Sequence, residues 1–122
     1  MSLRCLIVDD NTDYLVAARS ALESQGIEVV GIAATSAEAL RRAEALRPDV
    51  ALVDIGLGDE SGFELALRLV DGAAQPITRV VLISTRAEDD YADMIATSPA
   101  VGFLSKSDVS AHALQGLLDG GV

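Results

Sequence analysis

The sequence predicts an α/β fold: one open parallel sheet with helices on both faces. Three observations predict it. Short apolar runs alternate five times with stretches of helical periodicity along the 122 residues. The connections between them are short, as in successive βα units whose helices cover both faces of a sheet. A closed barrel of such units needs about eight of them and ~250 residues, so this length excludes it. The first, third and fourth runs are the most apolar and are expected at the sheet centre.

The first strand is Leu3 to Val8, broken only by Arg4 and stopped by Asp9-Asp10. Asp13 to Ser24 follows as a helix, with Leu15, Ala18 and Leu22 on one face and Gly26 as its C-terminal cap. Ile27 to Ala33 reads as the second strand. Thr35 and Glu38 have capping-box spacing and open a helix that buries Ala39, Ala43 and Leu46 and stops at Arg47-Pro48. Val50 to Val53 is the third strand and ends at Asp54. A glycine-containing loop, Ile55 to Glu60, leads to a second capping box, Ser61 and Glu64, whose helix buries Leu65, Ala66, Leu69 and Val70. Thr78 to Ser84 is the fourth strand. Glu88 to Thr97 is a shorter helix with Tyr91, Met94 and Ile95 as its apolar contacts. Ala100 to Ser105 is the fifth strand, and Asp108 to Leu118 is a last helix with Ala111, Leu114 and Leu118 on one face. These elements fill one domain, residues 1–122.

Composition narrows the function classes. Lys and Arg number 9 against 19 Asp and Glu, a formal charge of −10. That balance argues against direct nucleic-acid or anionic-membrane binding. One cysteine, Cys5, excludes an intrachain disulfide and points to a reducing compartment, where it is expected as a small buried hydrophobe. No apolar run reaches the ~18 residues of a membrane span, and Met1-Ser2-Leu3-Arg4 leads straight into a strand. The expectation is a cytoplasmic protein.

The polar residues collect at strand ends. The first strand ends in Asp9-Asp10, the third in Asp54, the fourth in Ser84-Thr85 and the fifth in Ser105-Lys106. In an open parallel sheet these ends share one edge, where ligands bind. Taken singly, each has a plain reading: the aspartates as caps or turn residues, Ser84 as a turn hydroxyl, Lys106 as a solvated charge. Solvated residues have no reason to choose four strand ends on one edge. Three carboxylates crowded together would not all stay ionised without compensation, and a hard divalent cation supplies it. With Mg²⁺ held there, one carboxylate could act as nucleophile towards a phosphoryl group, with Lys106 and Ser84 stabilising its oxygens.

The segments Leu6-Ile7-Val8-Asp9-Asp10-Asn11, Val50-Ala51-Leu52-Val53-Asp54-Ile55 with Gly62 downstream, Val80-Val81-Leu82-Ile83-Ser84, and Gly102-Phe103-Leu104-Ser105-Lys106 occur in this order. Together they resemble the receiver domain of bacterial response regulators, over essentially the whole chain. The resemblance implies a (βα)5 sheet of flavodoxin-like strand order 2-1-3-4-5. It implies Asp54 as phospho-acceptor, Asp9 and Asp10 as the acidic pair holding Mg²⁺ (or Mn²⁺), and the Gly56 backbone carbonyl as a further metal ligand. Ser84 matches the switch hydroxyl, with Thr85 after it, Lys106 the phosphoryl-contacting lysine, and Phe103 the aromatic switch position. The implied activity is phosphotransfer onto the domain itself with slow autodephosphorylation, a signalling role in a phosphorelay and not that of an enzyme. The implied partners are a sensor histidine kinase or histidine phosphotransfer protein. An output domain, a target protein or a second copy would use the surface of the fourth helix, fifth strand and fifth helix.

Four positions depart from the commonest pattern. Gly58 stands where proline is frequent, which suggests a more mobile loop. Ser107 follows Lys106 in place of proline, so the loop geometry there is open. Thr85 narrows access to the acceptor, whereas Gly56, without a side chain, widens it. Two other readings compete. One is a receiver that keeps the fold as a phosphorylation-independent interaction module. The other is a nucleotide- or flavin-binding enzyme, which lacks its loop: Gly56-Leu57-Gly58-Asp59-Glu60-Ser61-Gly62 has the wrong final glycine spacing. Tyr14 and Tyr91 read as packing or partner-facing residues, and His112 as a solvated helix position.

Overall fold

A computed structural model of the chain describes residues 3–71, 79–85 and 91–119. Five parallel strands form one sheet: β1 (Arg4–Val8), β2 (Glu28–Ala33), β3 (Val50–Asp54), β6 (Arg79–Ser84) and β7 (Gly102–Ser105). A two-residue antiparallel pair, β4 (Gly56–Leu57) and β5 (Glu60–Ser61), intervenes in the numbering. The sheet order is β2-β1-β3-β6-β7, the expected order once the small pair is set aside. The three most apolar strands are the central ones.

Side-chain alternation along each strand divides the core in two. Cys5, Ile7, Val50, Leu52, Val81 and Ile83 pack against α1 (Thr12–Ser24) and α5 (Ala111–Asp119) through Leu15, Leu22, Ala111 and Leu114. Leu6, Val8, Ala51, Val53, Val80 and Leu82 pack against α2 (Ser36–Leu46) and α3 (Gly62–Asp71) through Ala39, Leu65 and Leu69. Tyr91 and Ile95, at α4 (Ala92–Thr97), join that second side. Continuous apolar runs are what a strand buried on both faces requires. Cys5 is buried as expected, and burial pushes its thiol up to about 12, which leaves it protonated and inert.

Local chemistry explains the helix ends. Asn11 caps α1, its side chain accepting from the Tyr14 N–H at 3.2 Å, so the helix starts one residue before the expected Asp13. Gly26 takes φ +91° just past the end of α1, a conformation that favours glycine. Thr35 caps α2 by accepting from the Glu38 N–H, and the Glu38 carboxylate reaches back to the Ala34 N–H at 2.8 Å.

Several boundaries differ from expectation. The loop expected at Ile55 to Glu60 is instead the β4–β5 hairpin, which turns at Gly58 with φ +62°. Proline cannot take that conformation, so glycine here makes a defined turn. Glu60 then accepts from the Ser36 N–H at 2.9 Å, tying the hairpin to the start of α2. Lys106–Asp108 forms a short 3₁₀ turn, so α5 begins at Ala111 and not at Asp108. Met94 is 51% exposed, where the sequence suggests an apolar contact. Leu46 and Val70 are half-buried. The starts expected at Thr78 and Glu88 lie outside the described residues.

Candidate functional site

The site follows from the strand period. Ile7, Leu52 and Leu104 all face α1 and α5. Two residues further on, the same alternation reaches Asp9, Asp54 and Lys106. Because the strands are parallel, these three meet at one edge of the sheet.

The Lys106 Nζ lies 2.5 Å from Asp9 Oδ2 and 3.2 Å from Asp54 Oδ2. Carboxylate oxygens of Asp9, Asp10 and Asp54 lie within 4.8 Å of one another. Asp9 and Asp54 are buried and Asp10 is exposed. Asp9 Oδ1 accepts from the Asn11 N–H at 2.8 Å, and Asp54 Oδ1 accepts from the Gly56 N–H at 3.3 Å. Asp9 Oδ2 is fully buried and has the ammonium of Lys106 as an ion-pair partner, with no aligned hydrogen bond among the described residues.

Two buried acids share one ammonium. Burial and then the charge of Asp9 push the Asp54 carboxyl up to about 6, against the pull of Lys106. Burial alone would lower the Lys106 ammonium, but Asp9 and Asp54 outweigh it and hold it above its ordinary value. Lys106 lies closer to Asp9 than to Asp54.

Gly56 belongs to β4, and a Cβ there would meet open space. A Cβ on Gly58 would come 3.5 Å from Asp10 Oδ2, so the hairpin turn lies beside the acids. Ser84 ends β6, one step beyond the Asp54–Ile83 pair, and is buried; Thr85 is exposed. Ser84 has the opposite strand parity from Asp54 and shares it with Phe103, which packs among the second core side. The Lys106–Ser107 peptide is trans, like all others among the described residues.

Two contributors were not legible as such in the sequence. Tyr14, on α1, donates from its hydroxyl to the Lys106 carbonyl at 3.2 Å, and its ring centroid lies 4.9 Å from the Lys106 ammonium. Burial first, then Asp9 and Asp54, push its phenol up to about 12. Gly62 donates its N–H to the Ile55 carbonyl at 2.7 Å, and a Cβ there would come 2.8 Å from the Asp54 carbonyl carbon and the Ile55 Cα. Only a residue without a side chain lets α3 start this close to the strand carrying Asp54. His112 is exposed, as expected.

An acidic cluster with one lysine at the carboxyl edge of a five-stranded parallel sheet defines a class, and the family comparison agrees. Residues 5–117 match the response regulator receiver domain, and the chain belongs to that family, the receiver domains of two-component signalling. The response regulator GacA of Pseudomonas viridiflava is 28% identical over 94% of this chain and 53% of its own length. A CheY-like response regulator receiver domain protein from Methanospirillum hungatei has a TM-score of 0.75 at 29% identity, covering 99% of this chain and 94% of that one. A response regulator protein from Burkholderia pseudomallei, solved with a phosphorylated aspartic acid, calcium ion and citrate, has a TM-score of 0.80 at 27% identity. That match covers 97% of this chain and 67% of the other. The chain spans about half the length of the first curated relatives it matches. Among the described residues, no helix is long and apolar enough to cross a membrane.

Proposed function

We propose that this receiver domain, residues 1–122, accepts a phosphoryl group on Asp54 in a metal-dependent reaction and changes conformation in response. The observation that carries the proposal is the convergence of Asp9, Asp10 and Asp54 on Lys106 at one sheet edge. The donor set suits a hard cation: three carboxylates whose oxygens lie within 4.8 Å of one another. Asp9, Asp10 and Asp54 would hold Mg²⁺ or Mn²⁺, with the Gly56 carbonyl as a further oxygen ligand. When bound, the ion supplies positive charge against the phosphoryl oxygens.

The chain's own residues do the rest. A carboxylate oxygen of Asp54 attacks phosphorus as the bond from phosphorus to the donor atom breaks. That atom is a histidine ring nitrogen or the leaving oxygen of a small phosphodonor. It keeps the bonding electron pair: the histidine nitrogen can take a proton from solvent, whereas an acyl oxygen leaves as the carboxylate anion. Lys106 offers N–H donors to the phosphoryl oxygens in exchange for its contact with Asp54. Ser84 donates a further hydrogen bond and moves towards the new group. Phe103, on the same side of the sheet, repacks into the space released. The phosphoryl contacts favour one of two conformations and shift the population. The surface around α4, β7 and α5 carries that change to an output domain, a target protein or a second copy of the chain. The donor is a sensor histidine kinase or a histidine phosphotransfer protein, and the reaction belongs in the cytoplasm. Slow loss of the phosphoryl group to water resets the domain. The phosphorylated aspartic acid and calcium ion of the Burkholderia relative support the same chemistry here.

The test is incubation of the purified chain with acetyl phosphate and Mg²⁺, followed by intact mass under conditions that preserve acyl phosphates. One added phosphoryl group is expected, and none in EDTA. An unchanged mass with Mg²⁺ present would favour a phosphorylation-independent interaction module.

A further inference from the structure

We infer that Tyr14 is a positioning residue that sets where the Lys106 ammonium stands relative to Asp54. The inference rests on the phosphoryl-acceptor reading above and assigns a residue to that site. Lys106 needs an external anchor. It follows β7, which among the described residues is an edge strand paired with β6 alone. The next residues form a three-residue 3₁₀ turn with no side-chain cap at Ser105. Such turns are short and weakly bonded.

Tyr14 grips this residue at both ends. Its hydroxyl donates to the Lys106 carbonyl at 3.2 Å, across 92 positions of sequence, and fixes the backbone. Its ring lies 4.9 Å from the ammonium and attracts it through the ring's negative face. The two acids compete for the ammonium, at 2.5 Å and 3.2 Å. A ring beside the ammonium limits the arc over which a long flexible side chain can swing between them. Tyr14 is itself placed by Asn11, which caps α1 on the Tyr14 N–H and also donates to Asp9. The loop that carries Asp9 and Asp10 therefore also sets the register of the tyrosine that positions the lysine.

The test compares phosphorylation rate constants from acetyl phosphate in wild type, Tyr14→Leu, Tyr14→Phe, Lys106→Ala and the Tyr14→Leu/Lys106→Ala pair, each across a Mg²⁺ titration. Tyr14→Leu is expected to lower the rate at saturating Mg²⁺ about tenfold, from loss of both contacts. Tyr14→Phe keeps the ring and is expected to lose roughly threefold. The Mg²⁺ half-saturation point should stay within about twofold of wild type, since the carboxylates are intact. In the Lys106→Ala background, Tyr14→Leu should change nothing further. A wild-type rate in Tyr14→Leu, an equal slowing in the Lys106→Ala background, or a parallel loss of Mg²⁺ affinity would each overturn the inference. If Tyr14→Leu fails to fold, Tyr14→Phe decides alone, and an unchanged rate overturns it. A wild-type chain that takes no phosphoryl group sinks the underlying reading instead, a distinct result.

Discussion

Asp54→Asn is expected to abolish phosphoryl uptake and at the same time to stabilise the metal-free protein at neutral pH. The first effect follows from chemistry: an amide oxygen is a poor nucleophile towards phosphorus, and neither Asp9 nor Asp10 occupies the end of β3. The second follows from charge. Asp54 is buried beside Asp9, and its carboxyl is held up at about 6. Its unfolded value is lower, so between the two the native state binds more protons. Stability from this group is therefore greatest below the unfolded value and declines as pH rises through about 6. Asparagine keeps the shape and removes the charge. The expected gain at pH 7.5 without metal is on the order of 2 kcal/mol, after partial loss of the Lys106 contact. Urea unfolding from pH 4 to 8 checks it. The two proteins should be similar at pH 4 and separate as pH rises. Equal midpoints throughout would mean that Asp54 carries no electrostatic penalty in the fold.

Gly62→Ala is expected to cost about 2–4 kcal/mol, although alanine is the better helix former by ~1 kcal/mol. The obstacle is space, not backbone conformation. The added Cβ would strike the backbone at Asp54 and Ile55, with 2.8 Å to two of its carbons. Backbone atoms cannot swing aside as a side-chain tip can. By contrast, a Cβ on Gly102 would meet the far end of Leu117, and one on Gly116 would meet nothing. Gly116→Ala is therefore the matched control, expected to be neutral or stabilising. A lower urea midpoint for Gly62→Ala alone supports the account. Equal stability of the two variants contradicts it. The clash falls on the residue proposed as nucleophile, so the phosphorylation rate of any folded Gly62→Ala should drop as well.

The sheet and its acidic edge were legible because a buried parallel strand leaves a strong mark. Val50-Ala51-Leu52-Val53 has no polar residue to hide, and Asp54 ends it abruptly. The same holds for Leu6-Ile7-Val8 before Asp9. The hairpin at Gly56–Ser61 left no such mark. Its strands are two residues long, too short for any periodicity, and the turn depends on the single left-handed Gly58. Gly62 was visible as a glycine, but its reason, the nearness of the Asp54 backbone, is a tertiary fact. Tyr14 reads from the sequence only as a packing or partner-facing residue, because its partner lies 92 positions away. A signal did exist: Tyr14 falls three residues after the capping Asn11 and next to Leu15 on the buried side of α1. The α5 start was misplaced because Asp108 can begin a helix, whereas the chain first makes a 3₁₀ turn there.

The most direct test of the central claim is to identify the phosphorylated residue. The chain treated with acetyl phosphate and Mg²⁺ is reduced with borohydride, which converts an aspartyl phosphate to homoserine, and is then mapped by peptide mass spectrometry. Conversion at Asp54 alone is the predicted result. Conversion at Asp9 or Asp10 with Asp54 untouched, or an added phosphoryl group found only on Ser84, Thr85 or His112, would contradict it.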